Sequence, residues 1–299
     1  MTRTLIVGSG FVGRAVAARL AARGDRPVLA SRRPPAGAPA SWVPLDAADA
    51  AACRRVVGEV RPDRVVLVHG PSDVTWCEAH PDRAVALHTA AARNLTAAAA
   101  GLRTVLVSTD NVFPGRSPVN DESAPTEPAN AYGRAKLAAE DVVRGTADAT
   151  VLRVSLVYGW EPEHSAKWLN FFAACAHRLR RGEAVEAPDD QWTTPVLVTD
   201  VAGVTAAALA PGAPPLLHLG GPEVVSRAAW AEAVADGLGV PRSLVVRVPK
   251  AEGRYASRPA HSCLTSRLLD GFLAGHGLRV RGVAEGVRTL LDRPEGRAA

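Results

Sequence analysis

Tyr132 and Lys136 stand four positions apart in Asn130-Ala131-Tyr132-Gly133-Arg134-Ala135-Lys136. If that segment is helical, the spacing is one turn, so a phenol and an ammonium project from the same face. An ammonium near a tyrosine stabilises the phenolate, which would let Tyr132 exchange a proton closer to neutral pH than its usual pKa of ~10. The composition supports a particular use for this lysine. Of 35 Lys and Arg residues, only three are lysine (Lys136, Lys167 and Lys250), so arginine serves almost everywhere that positive charge alone is needed. A compact ammonium with donors that can be aimed is something a guanidinium does not imitate. The plain alternative is a solvated helical face, and the spacing by itself does not decide between the two.

Ser108-Thr109-Asp110 closes a predicted strand over Thr104 to Ser108. Thr109 could hydrogen-bond a substrate carbonyl while Tyr132 protonates it; equally, the three residues could simply turn the chain. Near the start, a predicted strand over Thr4 to Val7 runs into Gly8-Ser9-Gly10-Phe11-Val12-Gly13 and a helix to about Arg23 with Val12, Val16 and Leu20 on one side. This is GxGxxG between strand and helix, where it binds dinucleotides. Gly8 permits the tight turn, Gly10 lets backbone approach a pyrophosphate, and Gly13 lets the helix pack closely. The amides of Phe11, Val12 and Gly13 then face the phosphates.

The second strand, Pro27 to Ala30, ends in Ser31-Arg32-Arg33, with no acidic residue to hold a ribose 2′-hydroxyl. A serine and two arginines suit a 2′-phosphate, so NADPH is expected, with NADH possible. Alternatively the arginines open a surface loop that continues through Pro34, Pro35, Gly37 and Pro39. Asp46, after a third strand from Trp42 to Leu45, could accept from an adenine amino group or cap the helix that starts near Asp49. His69, at the end of a fourth strand from Arg64 to Val68, is as readily structural as functional and is left out of the chemistry.

These residues need a scaffold. Strands alternate with helices, the latter at about Pro81 to Ala100 and 133 to 145, from residue 4 to 153. That pattern indicates an α/β fold with a doubly wound parallel (Rossmann) sheet. Residues 1–160 are read as the dinucleotide-binding domain, with 196–210 returning to it, and 161–299 mainly as a substrate-binding region. A chain of 299 residues that is 47% apolar and 22% charged is long enough for one large or two modest domains. The charge of +5 favours an anionic partner, and without basic runs interleaved with aromatics a small phosphorylated molecule fits better than nucleic acid. Cys53, Cys77, Cys175 and Cys263 form no CxxC pair, which speaks against a disulfide framework or zinc site and suits a reducing cytoplasm. Arg14, Arg19 and the glycines argue against a signal peptide at the start, and no membrane span is expected.

Beyond residue 159 the alternation breaks up. A helix is expected over Ser165 to Arg181 with a basic end capped by Gly182, then a loop over Asp189 to Pro195. A short strand over Val196 to Val198, a helix from Thr199-Asp200, a strand over Leu216 to Leu219, and a helix capped by Ser226 follow. The tail from Arg293 is expected to be disordered.

The glycine loop, STD at 108 to 110, VFPG at 112 to 115, and the segment from Asn130 to Lys136 together resemble an extended short-chain dehydrogenase/reductase. LRVSLVYG at 152 to 159, DQWTTP at 190 to 195 and RPAHS at 258 to 262 resemble its dTDP-4-dehydrorhamnose reductase branch, over about residues 4 to 290. The resemblance implies an NADPH-dependent ketoreductase of a nucleotide-linked 4-keto-6-deoxysugar. It implies catalytic Thr109, Tyr132 and Lys136, with Lys136 also on the nicotinamide ribose and Asp110, Asn111, Asn170 and Arg258 toward the substrate. Read without the resemblance, Arg258 is as readily a surface arginine. The long helices at 81 to 100 and 133 to 145 are ones such proteins often pair into a homodimer. Several positions depart from the branch: the glycine loop, a shortened loop after His69, His88 in place of asparagine, and Leu156 in place of tryptophan. Two rivals follow from the same resemblance. One is an epimerase or dehydratase with retained NAD, and Asp110-Asn111 disfavours dehydration because an amide cannot exchange the proton. The other is a non-catalytic regulatory subunit, against which the intact Thr109, Tyr132 and Lys136 argue.

Overall fold

The structure is a computed structural model that describes residues 1–35, 40–161, 163, 169–251, 255–256 and 258–292. In chain order the first layers are built from β1 (Arg3–Val7), α1 (Phe11–Ala22), β2 (Arg26–Ser31), β3 (Ser41–Pro44), α2 (Ala50–Val60), β4 (Arg64–Leu67), α3 (Val74–Ala79), α4 (Pro81–Ala98), β5 (Arg103–Thr109), α5 (Ala131–Arg144) and β6 (Ala149–Val154). There follow β7 (Val157–Tyr158), α6 (Phe171–Arg180), β8 (Val185–Pro188), β9 (Trp192–Thr193), β10 (Val196–Leu197), α7 (Val198–Ala208), β11 (Leu216–Leu219), β12 (Val225–Ser226), α8 (Arg227–Leu238), β13 (Val245–Val248), β14 (His261–Ser262), α9 (Leu269–Gly275) and α10 (Val283–Leu291).

The central sheet has seven strands in the order β11-β6-β5-β4-β1-β2-β3, every neighbouring pair parallel. Parallel strands covered on both faces need apolar residues without alternation, which is why Leu5, Ile6 and Val7 are all buried. Ile6 packs with α1 and α7 on one face, and Leu5 and Val7 with α2, α4 and α5 on the other. Strand order reverses between β1 and β4, so the crevice for a ligand opens outside their carboxyl ends. Gly8 leaves β1 at φ +115, and a Cβ there would lie 2.3 Å from the Val68 carbonyl oxygen, so only glycine fits.

The sheet takes its last strand, β11, from well beyond residue 160. The return of the chain to this layer therefore includes 216–219 as well as α7. A second core under α6, α8 and α10, with Trp230, Phe171, Phe172 and Tyr158, supports the small sheets β13-β8 and β12-β9-β14. The stretch from 189 to 195, expected as loop, carries β9, which β12 and β14 flank. The expected helix over 165 to 181 is described from Phe171, where Asn170 caps it; 164–168 lie outside the described residues, as do 36–39 and the tail from Arg293. Ser226 caps α8 as its sequence context implies, whereas α2 is capped by Asp49 rather than by Asp46.

Candidate active site

Thr109 ends β5, and its hydroxyl accepts from the backbone amide of Asn111 at 3.2 Å, turning the chain into a 3₁₀ turn over Asp110–Val112. Asn111 in turn accepts at Oδ1 from Asn130 Nδ2 at 2.8 Å, and Asn130 caps α5 by accepting from the Gly133 amide at 2.8 Å. Gly133 is pressed on the turn so closely that a Cβ would lie 2.0 Å from the Asn111 carbonyl oxygen. Glu78 of α3 fixes the same helix start by accepting from the Ala131 amide at 2.8 Å. Together these bonds set Tyr132, in the first turn of α5, against Thr109 at the end of β5. The Thr109 hydroxyl, which donates to Asp110 Oδ1 at 3.1 Å, acts on the nearby phenol to lower its pKa.

Ala139 and Val143 pack α5 against the sheet while Ala131 and Ala135 pack against α3 and α4, and this close packing carries Lys136, 3% exposed, under the crevice. Its ammonium donates to the Val107 carbonyl at 2.7 Å. Burial lowers its pKa to about 8, with Glu140 one turn on acting the other way. The expected acidification of the phenol by this lysine is not found. Burial first, and then the Asp110 carboxylate, raise Tyr132 above its ordinary range, offset in part by Thr109. The phenol is therefore fully protonated at neutral pH, in the form that can donate. Spacing gave the shared face correctly, but depth decides the sign of the shift.

Asp110 is buried, and its pKa rises to about 6 because desolvation outweighs bonds from Thr109, Asn111 and Ser155. Its oxygens accept from Thr109 Oγ1 at 3.1 Å, Asn111 Nδ2 at 2.8 Å and Ser155 Oγ at 3.2 Å. Those contacts make Asp110 and Asn111 braces for Thr109. Below them, Glu140 accepts from Ser108 and from Arg153, whose Nη2 lies 2.7 Å from Glu140 Oε2; the pair is 2% and 0% exposed. Arg153 Nη1 also lies 3.3 Å from His218 Nε2 of β11, so the network ties α5 and β5 to the sheet edge.

Two residues outside the expected set enter the site. His69 Nε2 bonds the His88 carbonyl at 3.0 Å, and His88 Nε2 bonds the Pro71 carbonyl at 3.1 Å, so both rings carry their proton on Nε2. Both Nδ1 atoms are buried without a protein partner. Burial, then the charge of Lys136, lowers His69 to about 4 and His88 to about 2, keeping both neutral. The signal was present in the sequence: His69 ends a strand at the crevice, and His88 departs from the branch.

On the cofactor side, Gly10 caps α1 with no side chain bonding its first turn, and a Cβ at Gly10 would meet nothing within 4 Å. That leaves the start of α1, with Phe11, Val12 and Gly13, open to a phosphate, as a dinucleotide requires. Arg32 and Arg33 are exposed beside it. Ser31, expected to contact a 2′-phosphate, has its hydroxyl already engaged by Ser9, Arg33 and Trp42. Asp46 accepts from the Ala48 amide at 3.0 Å and does not cap α2.

On the substrate side, Asn170 is taken up locally rather than presented to the crevice. Its Nδ2 donates to the Gly159 carbonyl at 2.8 Å and to Glu161 Oε2 at 2.9 Å, and its Oδ1 caps α6. Arg258 precedes Pro259, which packs on Gly115 and whose carbonyl accepts from Gln191 Nε2 at 3.1 Å. The RPAHS segment is thus docked against both the VFPG loop and β9, alongside the end of β5. Among the described residues, no group of three or more His, Cys, Asp or Glu stands together as a metal would need. No described helix is long and apolar enough to cross a membrane, and all four cysteines are buried free thiols.

Comparison with known proteins gives a consistent picture. Residues 2–293 match the family model described as RmlD substrate binding domain. The chain is 31% identical over 274 residues to a dTDP-4-dehydrorhamnose reductase of Mycolicibacterium smegmatis, covering 89% of this chain and 78% of the relative. It is 34% identical over 224 residues to a dTDP-4-keto-6-deoxy-D-glucose reductase of Streptomyces niveus, covering 72% of each. The crystal structure of a Bacillus anthracis dTDP-4-dehydrorhamnose reductase in complex with NADP superposes with a TM-score of 0.79 at 23% identity, over 97% of this chain and 98% of that one.

Proposed function

This chain belongs to the RmlD substrate binding domain family, an extended short-chain dehydrogenase/reductase branch, and on that premise we propose an NADPH-dependent ketoreductase of a dTDP-linked 4-keto-6-deoxysugar. The observation that carries the reading is the Asn111–Asn130–Gly133 chain of hydrogen bonds, which sets the first turn of α5, with a protonated Tyr132, against Thr109 at the end of β5 beside the switch-point crevice, with Lys136 buried one turn on. The curated relatives with this activity, each at 31% identity or more, support the substrate class.

When bound, the reduced nicotinamide supplies the hydride. Gly8, Gly10 and Gly13 with the amides of Phe11 and Val12 would hold its pyrophosphate, and Arg32 and Arg33 the 2′-phosphate. Thr109 orients the substrate carbonyl. Tyr132 holds the proton that the carbonyl oxygen takes up as its carbon is reduced to an alcohol. Lys136, still largely cationic at neutral pH, supplies positive charge as the phenol loses that proton and holds the nicotinamide ribose. Asp110 and Asn111 keep Thr109 in line, and Arg258 contributes positive charge toward the sugar-linked diphosphate. In this reading residues 1–160, with the return segments, hold the cofactor, and most of 161–299 holds the sugar nucleotide. A homodimer through α4 and α5 and a cytoplasmic location belong to the same proposal.

The test is NADPH oxidation by the purified protein with dTDP-4-keto-6-deoxyglucose and dTDP-4-dehydrorhamnose. Turnover with either supports the reading. Absence of oxidation across dTDP- and UDP-linked keto-sugars, together with tightly retained NAD, would replace it with an epimerase.

A further inference from the structure

A serine hydroxyl has one hydrogen to donate and two lone pairs to accept with. In Ser31 all three are used. The hydrogen goes to the Arg33 carbonyl at 2.7 Å, and the lone pairs take the Ser9 hydroxyl at 2.7 Å and the Trp42 indole Nε1 at 3.0 Å. The three partners come from the glycine loop after β1, from the turn that ends β2, and from the start of β3, so one oxygen joins the carboxyl ends of β1 and β2 to the neighbouring strand β3. Ser31 and Trp42 are both half-buried, so water competes for these bonds only in part.

We propose that Trp42 is a specificity-determining residue for the cofactor, acting through Ser31. The inference rests on the NADPH-dependent reading above and deepens it. With its hydroxyl saturated, Ser31 can neither donate to a 2′-phosphate nor accept from a 2′-hydroxyl without breaking a bond. Refusal of the 2′-hydroxyl works against NADH, which needs an acceptor at that point. The bond to the Arg33 carbonyl draws the backbone of the turn inward while the side chains of Arg32 and Arg33 are exposed, so binding of the 2′-phosphate falls to the two guanidinium groups. The same oxygen ties this turn to Ser9, coupling recognition of the phosphate on the ribose to the loop that receives the pyrophosphate.

The experiment measures dissociation constants of NADPH and NADH for wild type, Trp42→Phe, Ser31→Ala and the double variant, with thermal unfolding to verify folding. Trp42→Phe keeps the ring and loses the N–H, freeing one lone pair for a 2′-hydroxyl and loosening the turn. The preference for NADPH over NADH is expected to fall by about three- to tenfold, the effect of one hydrogen bond. Ser31→Ala breaks the same tie, so the double variant is expected to lose no more than either single one. Equal weakening of both nucleotides, or an unchanged ratio in Trp42→Phe with a large loss in Ser31→Ala, overturns the proposal. The latter pattern would mean that Ser31 itself binds the phosphate. If the wild type binds neither nucleotide, the reductase reading itself has failed; if it binds NADPH with an unaltered ratio in Trp42→Phe, only this inference has.

Discussion

The imidazole of His88 meets the ring of Tyr132 edge to face, with centroids 6.1 Å apart and planes at 65°. It reaches that position over Gly70, where a Cβ would lie 2.1 Å from the imidazole Cε1. Residue 70 therefore governs the wall of the candidate site although it carries no side chain, and the neutral imidazole adds no charge next to Lys136.

Gly70→Ala faces two penalties, the imidazole and a backbone φ of +92. The substitution is expected to destabilise the protein by about 2–4 kcal/mol, readable in urea unfolding. Adding His88→Ala should recover part of that loss by removing the steric conflict, leaving the backbone strain. Full recovery in the double variant would mean that the strain is negligible.

Tyr132→Phe removes the proton donor and leaves the ring that packs against His88. Turnover should drop by about 10²–10⁴-fold with the NADPH dissociation constant unchanged. Activity within tenfold of wild type would remove Tyr132 from the chemistry.

Lys136 has a folded pKa of about 8, below its ordinary 10.5. For a group depressed in this way, the contribution to stability is present above pH 10.5 and lost as pH falls through 8, so at pH 7 the buried ammonium weakens the fold. Lys136→Met is expected to raise the melting temperature at pH 7 by about 2–4 °C, with the gain vanishing toward pH 10.5, while turnover is lost. The wild-type rate should decline above pH 8 as the cation discharges. Asp110 behaves as a carboxyl raised to about 6: its contribution is full below 3.8 and lost as pH rises through 6. Asp110→Asn should therefore stabilise more at pH 7 than at pH 4, and a gain independent of pH would refute that assignment.

Much of this molecule could be read directly from its residues. The glycine loop, the Ser226 cap and the Tyr132–Lys136 face are all local signals, in which one helix or turn contains both partners. The remainder depends on long-range contacts. Nothing local marks helix α3, because its cap, Asp73, lies in a stretch that reads as a shortened loop, and its importance comes from Glu78 reaching Ala131, 53 residues on. Strands β8, β9 and β12 to β14 are two to four residues long and gain their pairing from distant segments, so no periodicity announces them. The phenol's acidity is not legible locally because the burial that raises its pKa is a property of the packed fold and not of a heptapeptide. Asn170 carried the right residue type for a ligand contact, yet helix capping claimed it.

The outer strand β11 has a consequence for synthesis. A ribosome that has released only the first 160 residues holds a nascent sheet whose β6 edge has no neighbour, with the backbone groups of Val151 to Val154 free to pair with another chain. Not until about sixty further residues have emerged can Leu216 to Leu219 close that edge. Premature termination in that interval leaves a product prone to aggregate, and shortening the chain to its first 160 residues would yield inclusion bodies rather than a small nucleotide-binding protein.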